Sequence, residues 1–234
     1  LACSLIPIWF KALSIGEGPG KLTSDEATAY YALSISAVTI IIAFLGPVLG
    51  NIADNKGMKK IFFTTVVSVG VICCVINGFT TSWLLFLFLY IVTRICYNAA
   101  NAIYDSMLND ITSEERMDEV SSYGYAWGYI GSCIPFLVAL IAYVLGPDMV
   151  GVISASLSKQ IGCIVTALWW AIVTLPLLKN YEQLFYTEKK EHAIRNSFKE
   201  IGHTLKTIAL KDKKVLYFLI AFFFYIDGVG TIID

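Results

Sequence analysis

The sequence predicts an all-α protein whose helices cross a lipid bilayer. Hydrophobic residues fill 57% of its 234 positions and charged residues 15%, and the mean hydropathy is +0.69. A water-soluble domain with that balance could not cover its surface with polar groups. Apolar stretches close to the roughly 20 residues that cross a bilayer core also recur along the chain. Short polar breaks part them, so the sequence describes a bundle and not a single anchor.

The first element, Leu1 to Phe10, is apolar and lacks the basic n-region and cleavage site of a signal peptide, so it reads as the tail of a truncated first span. Further spans are expected at about Ala27 to Ala53, Ile61 to Phe79, Trp83 to Leu108, Val120 to Leu145 and Ser154 to Leu178, and a seventh begins at Val215. Residues 1–178 then form a six-helix transmembrane bundle, 179–214 a polar connection, and 215–234 the start of helix seven.

Lysine and arginine orient these spans. Thirteen fall on one side, in the connections holding Lys56, Lys59 and Lys60, then Arg116, then Lys179 through Lys214. Only Lys11, Lys21 and Lys159 fall on the other, and Arg94 is left inside the membrane. The richer side is expected in the cytoplasm. Within the long connection Ile194, Phe198, Ile201, Leu205 and Ile208 recur at steps of four and three. That is the pattern of an amphipathic helix, lying either on the membrane face or against the protein's own helix ends.

Composition also excludes function classes. A net charge of −1 leaves no global field to attract nucleic acid. The six cysteines, Cys3, Cys73, Cys74, Cys96, Cys133 and Cys163, lie within or beside apolar stretches without metal or disulfide spacing, and read as small packing residues. His192 and His203 lack metal-ligand spacing, and no nucleophile elbow or phosphate loop occurs. An intramembrane aspartyl protease would need a second aspartate in a Gly-x-Gly-Asp setting; Asp227 instead precedes its glycines. No enzyme, cofactor or metal is therefore expected.

The sharpest motif joins the second and third spans. Gly50-Asn51-Ile52-Ala53-Asp54-Asn55-Lys56-Gly57-Met58-Lys59-Lys60 has glycine, aspartate, glycine and a basic pair at fixed offsets. Gly50 would admit a close neighbouring helix and Gly57 a positive-φ turn. Asp54 could meet a helix N-terminus or a lysine, while the lysines stay in water. The motif resembles the cytoplasmic signature of the major facilitator superfamily. That resemblance implies the superfamily fold, with this chain as its N-terminal half, and a motif that latches the two halves when the cavity opens outward. A basic turn that only sets topology is the alternative.

Other stretches narrow the resemblance. Leu5 to Phe10, Tyr30 to Ser36, Ser122 to Ser132 and Phe223 to Ile232, the last holding an aromatic-Asp-Gly-Val-x-Thr-Ile run, are similar to the vacuole effluxer-like branch of that superfamily. The branch includes fungal vacuolar amino-acid exporters and bacterial relatives. Membership implies a secondary transporter that moves an amino acid or similar small polar solute by alternating access. The implied partners are the lipid bilayer, that solute and the missing C-terminal half. The membrane would be the plasma membrane in a bacterium or the vacuolar membrane in a fungus. A sugar-cation symporter of the glycoside-pentoside-hexuronide type and a non-transporting receptor are the alternatives.

The fourth span carries a polar stripe. Arg94, Asn98, Asn101 and Asp105 follow at steps of four, three and four, flanked by Tyr97 and Tyr104, and so share one helix face. A charged side chain at mid-membrane costs roughly 2.5–3.5 kcal/mol on insertion scales, so this face should meet a wet cavity or hold the bundle together. Arg94 and Asp105, about 16 Å apart along the axis, cannot pair directly. Because helices one, four and seven line the superfamily's cavity, the resemblance makes Arg94, Tyr97, Asn98, Asn101 and Asp105 candidates for the substrate path. Tyr225, Asp227 and Thr231 on the seventh span join them. Asp227 lies near mid-membrane beside Gly228 and Gly230, where an interrupted helix could hold substrate or ion. Asp105 and Asp227 are the proton-coupling candidates; a static cap or salt bridge is the alternative for Asp227.

In the fifth span Gly124, Gly128, Gly131 and Ser132, followed by Pro135, form a small-residue seam suited to close helix packing. Thr112-Ser113-Glu114-Glu115 before it has the pattern of a capping box, with Arg116 available to Asp110 and Asp118.

Overall fold

A computed structural model describes residues 5–16, 20–147, 149–186, 202, 206–208, 210–211 and 213–233, with the side chains of 226, 227 and 229–233 outside that description. The chain divides into two units at Lys189 and Lys190. The first holds α1 (Leu5–Ser14), α2 (Ser24–Ala53), α3 (Met58–Phe79), α4 (Trp83–Ile111), a 3₁₀ turn (Glu114–Arg116), α5 (Met117–Val144) and α6 (Ala155–Asn180); the second holds α7 (Lys213–Ile233). Five of these, α2 to α6, are long and apolar enough to cross a membrane, α5 together with the turn before it. The chain is a multi-pass membrane protein.

The helix ends follow local chemistry. α2 starts three residues before the expected Ala27 because Thr23 and Glu26 form a reciprocal capping box. α6 is capped by the Ser154 hydroxyl, which accepts the Leu157 N–H at 3.2 Å. The expected Thr112-Ser113-Glu114-Glu115 box does not set this helix start: Ser113 takes the N-cap position without a side-chain capping hydrogen bond, and Glu114–Arg116 is a 3₁₀ turn. Arg116 pairs with Glu119 at 3.4 Å, one turn on, because Asp110 is already engaged elsewhere.

In the first unit α3 lies between α4 and α6, α2 packs on α4, and α5 packs on α6. Two apolar cores occupy its two ends. One gathers Leu5, Trp9, Phe10, Phe86, Tyr90, Ala139 and Cys163 near α1. The other gathers Ala53, Phe63, Val67, Ile103, Met107 and Tyr181 near the α2–α3 turn. Close packing falls on glycines outside the expected seam. A Cβ on Gly162 would run into the Trp9 ring, and one on Gly70 would lie 2.6 Å from Trp170. In the seam itself a Cβ on Gly124 or Gly131 would make only ordinary contacts with Tyr104 and Trp169 and one on Gly128 would meet nothing described within 4 Å, as would one on Gly50 of the signature. Cys96 and Cys163 are buried as packing residues, whereas Cys133 is exposed and Cys3 lies outside the described residues. Ile194, Phe198, Ile201 and Leu205 of the amphipathic stripe, and both histidines, are also outside the described residues.

Candidate functional site

A cavity of about 680 Å³ opens in the first unit between α3, α4, α5 and α6, with Ile6 of α1 also on its lining. From α4 it receives Tyr90, Thr93, Arg94 and Tyr97. Trp127, Tyr129 and Phe136 of α5, and Trp169 and Trp170 of α6, supply aromatic walls. Among the described residues on this lining, Arg94 is the charged one. Tyr97 meets the Trp170 ring edge-on at 6.1 Å. The wall thus combines one cationic side chain with several aromatic faces.

The helical register divides the stripe. Arg94 and Tyr97 line the cavity, whereas Asn98, Asn101 and Asp105 do not. The Asn98 amide donates to the Arg94 carbonyl at 2.9 Å. Asn101 and Asp105 are exposed on the bundle surface, as is Tyr104. Tyr225 is exposed on α7, and the side chains of Asp227 and Thr231 lie outside the described residues.

A second polar cluster lies at the α2–α3 turn. Gly57 adopts φ 72°, the left-handed conformation the tight turn requires. Lys59, expected in water, is instead 3% exposed. Its ammonium reaches Asp110 at 2.9 Å and Asp54 at 4.0 Å, and donates to the Ser106 carbonyl at 3.3 Å. The correction has a physical cause: the first turn of α3 packs onto the last turns of α4, where a fully buried carboxylate must be neutralised. Asp110 also accepts the Tyr181 hydroxyl at 2.6 Å and the N–H groups of Leu184 at 3.0 Å and Phe185 at 2.8 Å. Burial, then the Asp110 carboxylate, push the Tyr181 phenol far above its ordinary range and keep it a donor. Sequence reasoning offered Asp110 only as a neighbour of Arg116 and had no signal for Tyr181.

The description "Vacuole effluxer Atg22 like" names the family whose model matches residues 20–234. The chain belongs to the Atg22-like vacuole effluxer family. An uncharacterised MFS-type transporter, YxiO of Bacillus subtilis (strain 168), is 40% identical over 232 residues, which is 98% of this chain and 53% of that protein. The class H tetracycline resistance protein of Pasteurella multocida is 22% identical over 211 residues, or 90% of this chain and 48% of that protein. This Atg22-like chain thus spans about half the length of the curated relatives it matches. No solved structure matches it. The family is described as effluxers and the Bacillus relative as a transporter, neither as an enzyme.

Proposed function

We propose that this chain is the N-terminal half of a secondary transporter that moves a small anionic or zwitterionic solute, an amino acid or a similar metabolite, by alternating access. The observation that carries this reading is the place of Arg94, a guanidinium on the wall of an aromatic-lined cavity among membrane-length helices, where a solute's anionic group could meet it. Asp105 and Asp227 are the carboxylates through which a proton could be coupled.

The test is thermal stabilisation of the full-length protein across amino acids, organic acids, sugars and peptides, followed by flux in proteoliposomes with the solute that stabilises most. Stabilisation by carboxylate-bearing solutes, followed by their uptake or release, supports this assignment. Stabilisation by neutral sugars with sodium- or proton-driven uptake would replace it with a sugar-cation symporter, and binding without flux would replace it with a receptor.

A further inference from the structure

We propose that Asp110 and Tyr181 are positioning residues of the cytoplasmic gate, holding residues 181–186 as a strap across the signature turn so that strap and turn loosen together. This rests on the transporter reading for its purpose, but not for its geometry. The chain leaving α6 does not run free. Both oxygens of Asp110 are engaged: one takes the Lys59 ammonium and the Tyr181 hydroxyl, the other takes two consecutive backbone N–H groups from Leu184 and Phe185.

Three further contacts tie the same six residues to the turn. The Gln183 amide donates to the Ala53 carbonyl at the end of α2, 3.4 Å away. The Lys60 ammonium donates to the Tyr181 carbonyl at 3.3 Å. The Lys56 ammonium sits 5.1 Å from the centre of the Tyr186 ring. The strap therefore touches the end of α2, the turn, the first turn of α3 and the end of α4. A buried carboxylate that loses a donor pays the desolvation cost of that lost partner. Peeling the strap would leave Asp110 short of three of its four donors, with Lys59 of the signature alone to hold it. This is how the start of the 179–214 connection can report on, and restrain, the turn that the superfamily uses as a latch.

Hydrogen exchange followed by mass spectrometry, on the full-length protein in nanodiscs without solute, tests this directly. Two sets of amides are read: Leu184 and Phe185 in the strap, and Asn55 and Met58, which hydrogen-bond within the turn. D110A should speed exchange of the strap amides by at least about tenfold, whereas D110N, which keeps an oxygen for them, should leave them protected. The deciding variant is Y181F, which touches neither turn amide. It should loosen strap and turn by similar factors, several-fold each, with protection in the middle of α3 and α6 unchanged. Unaltered strap exchange in D110A, or a strap that loosens in Y181F above a turn that does not, overturns the proposal. No solute is required, so failure to find transport would sink the transport assignment and leave this test standing.

Discussion

At membrane depth the charge of Arg94 must be held by something other than lipid, and its cavity brings tyrosine and tryptophan faces to the same wall. Replacing it with alanine removes the charge that would draw an anionic solute, and affinity for a carboxylate-bearing ligand is expected to fall roughly tenfold or more. Replacement with lysine should recover part of the binding, because it restores the charge and not the planar fork. Isothermal titration of both variants, beside their thermal midpoints, checks this; a variant that fails to insert would make Arg94 a packing residue. Asp227 carries a separate prediction. If its carboxylate takes a proton during the cycle, Asp227→Asn abolishes the dependence of flux on a pH gradient, and dependence that persists removes it as the proton site.

Helices were legible because length and apolarity suffice to define a span, and the five spans of the structure fall where the hydropathy placed them. Their ends were less legible. The capping box at Thr23 and Glu26 moves α2 out to Ser24, and α3 opens directly after the turn at Met58. What the sequence hid was contact between distant segments. Gly124, Gly128 and Gly131 form a visible pattern, yet the glycines under large side chains are Gly70 beneath Trp170 and Gly162 beneath Trp9. Asp110 likewise gains its partners from 51 to 75 residues away, so no local spacing could announce the cluster. The cavity lining was half legible: helical periodicity put Arg94 on a polar face, but only the packing of α3 and α6 shows that Asn101 and Asp105 lie off that cavity. A prediction belongs to this scale. Gly162→Ala forces the Trp9 ring aside and should destabilise the bundle by about 1–3 kcal/mol. The same change at Gly128, which has open space, should cost nothing measurable and gain slightly from helix propensity. Thermal unfolding of the two variants in one detergent compares them directly, and equal midpoints would deny that α1 is seated on α6.

At the scale of the whole molecule the chain covers about half of its relatives, and on the alternating-access reading proposed above the signature turn would act on a second half. Its residues divide this labour by burial. Lys59 and Asp110 are buried and mutually paired, which makes them part of the first unit's own stability. Asp54 is different: its side chain is 54% exposed and lies 4.0 Å from Lys59, a separation at which a half-exposed pair contributes little to folding. On that reading a carboxylate so exposed, at the end of α2, could meet a helix N-terminus of the second half. Asp54→Ala should therefore leave the thermal midpoint nearly unchanged while shifting the full-length protein toward inward-open states. Distance distributions between spin labels on the cytoplasmic ends of helices in the two halves read that shift. An unchanged distribution with an unchanged midpoint would deny Asp54 a latching role. A lowered midpoint with no shift would return it to the buried cluster, as a third partner of Lys59.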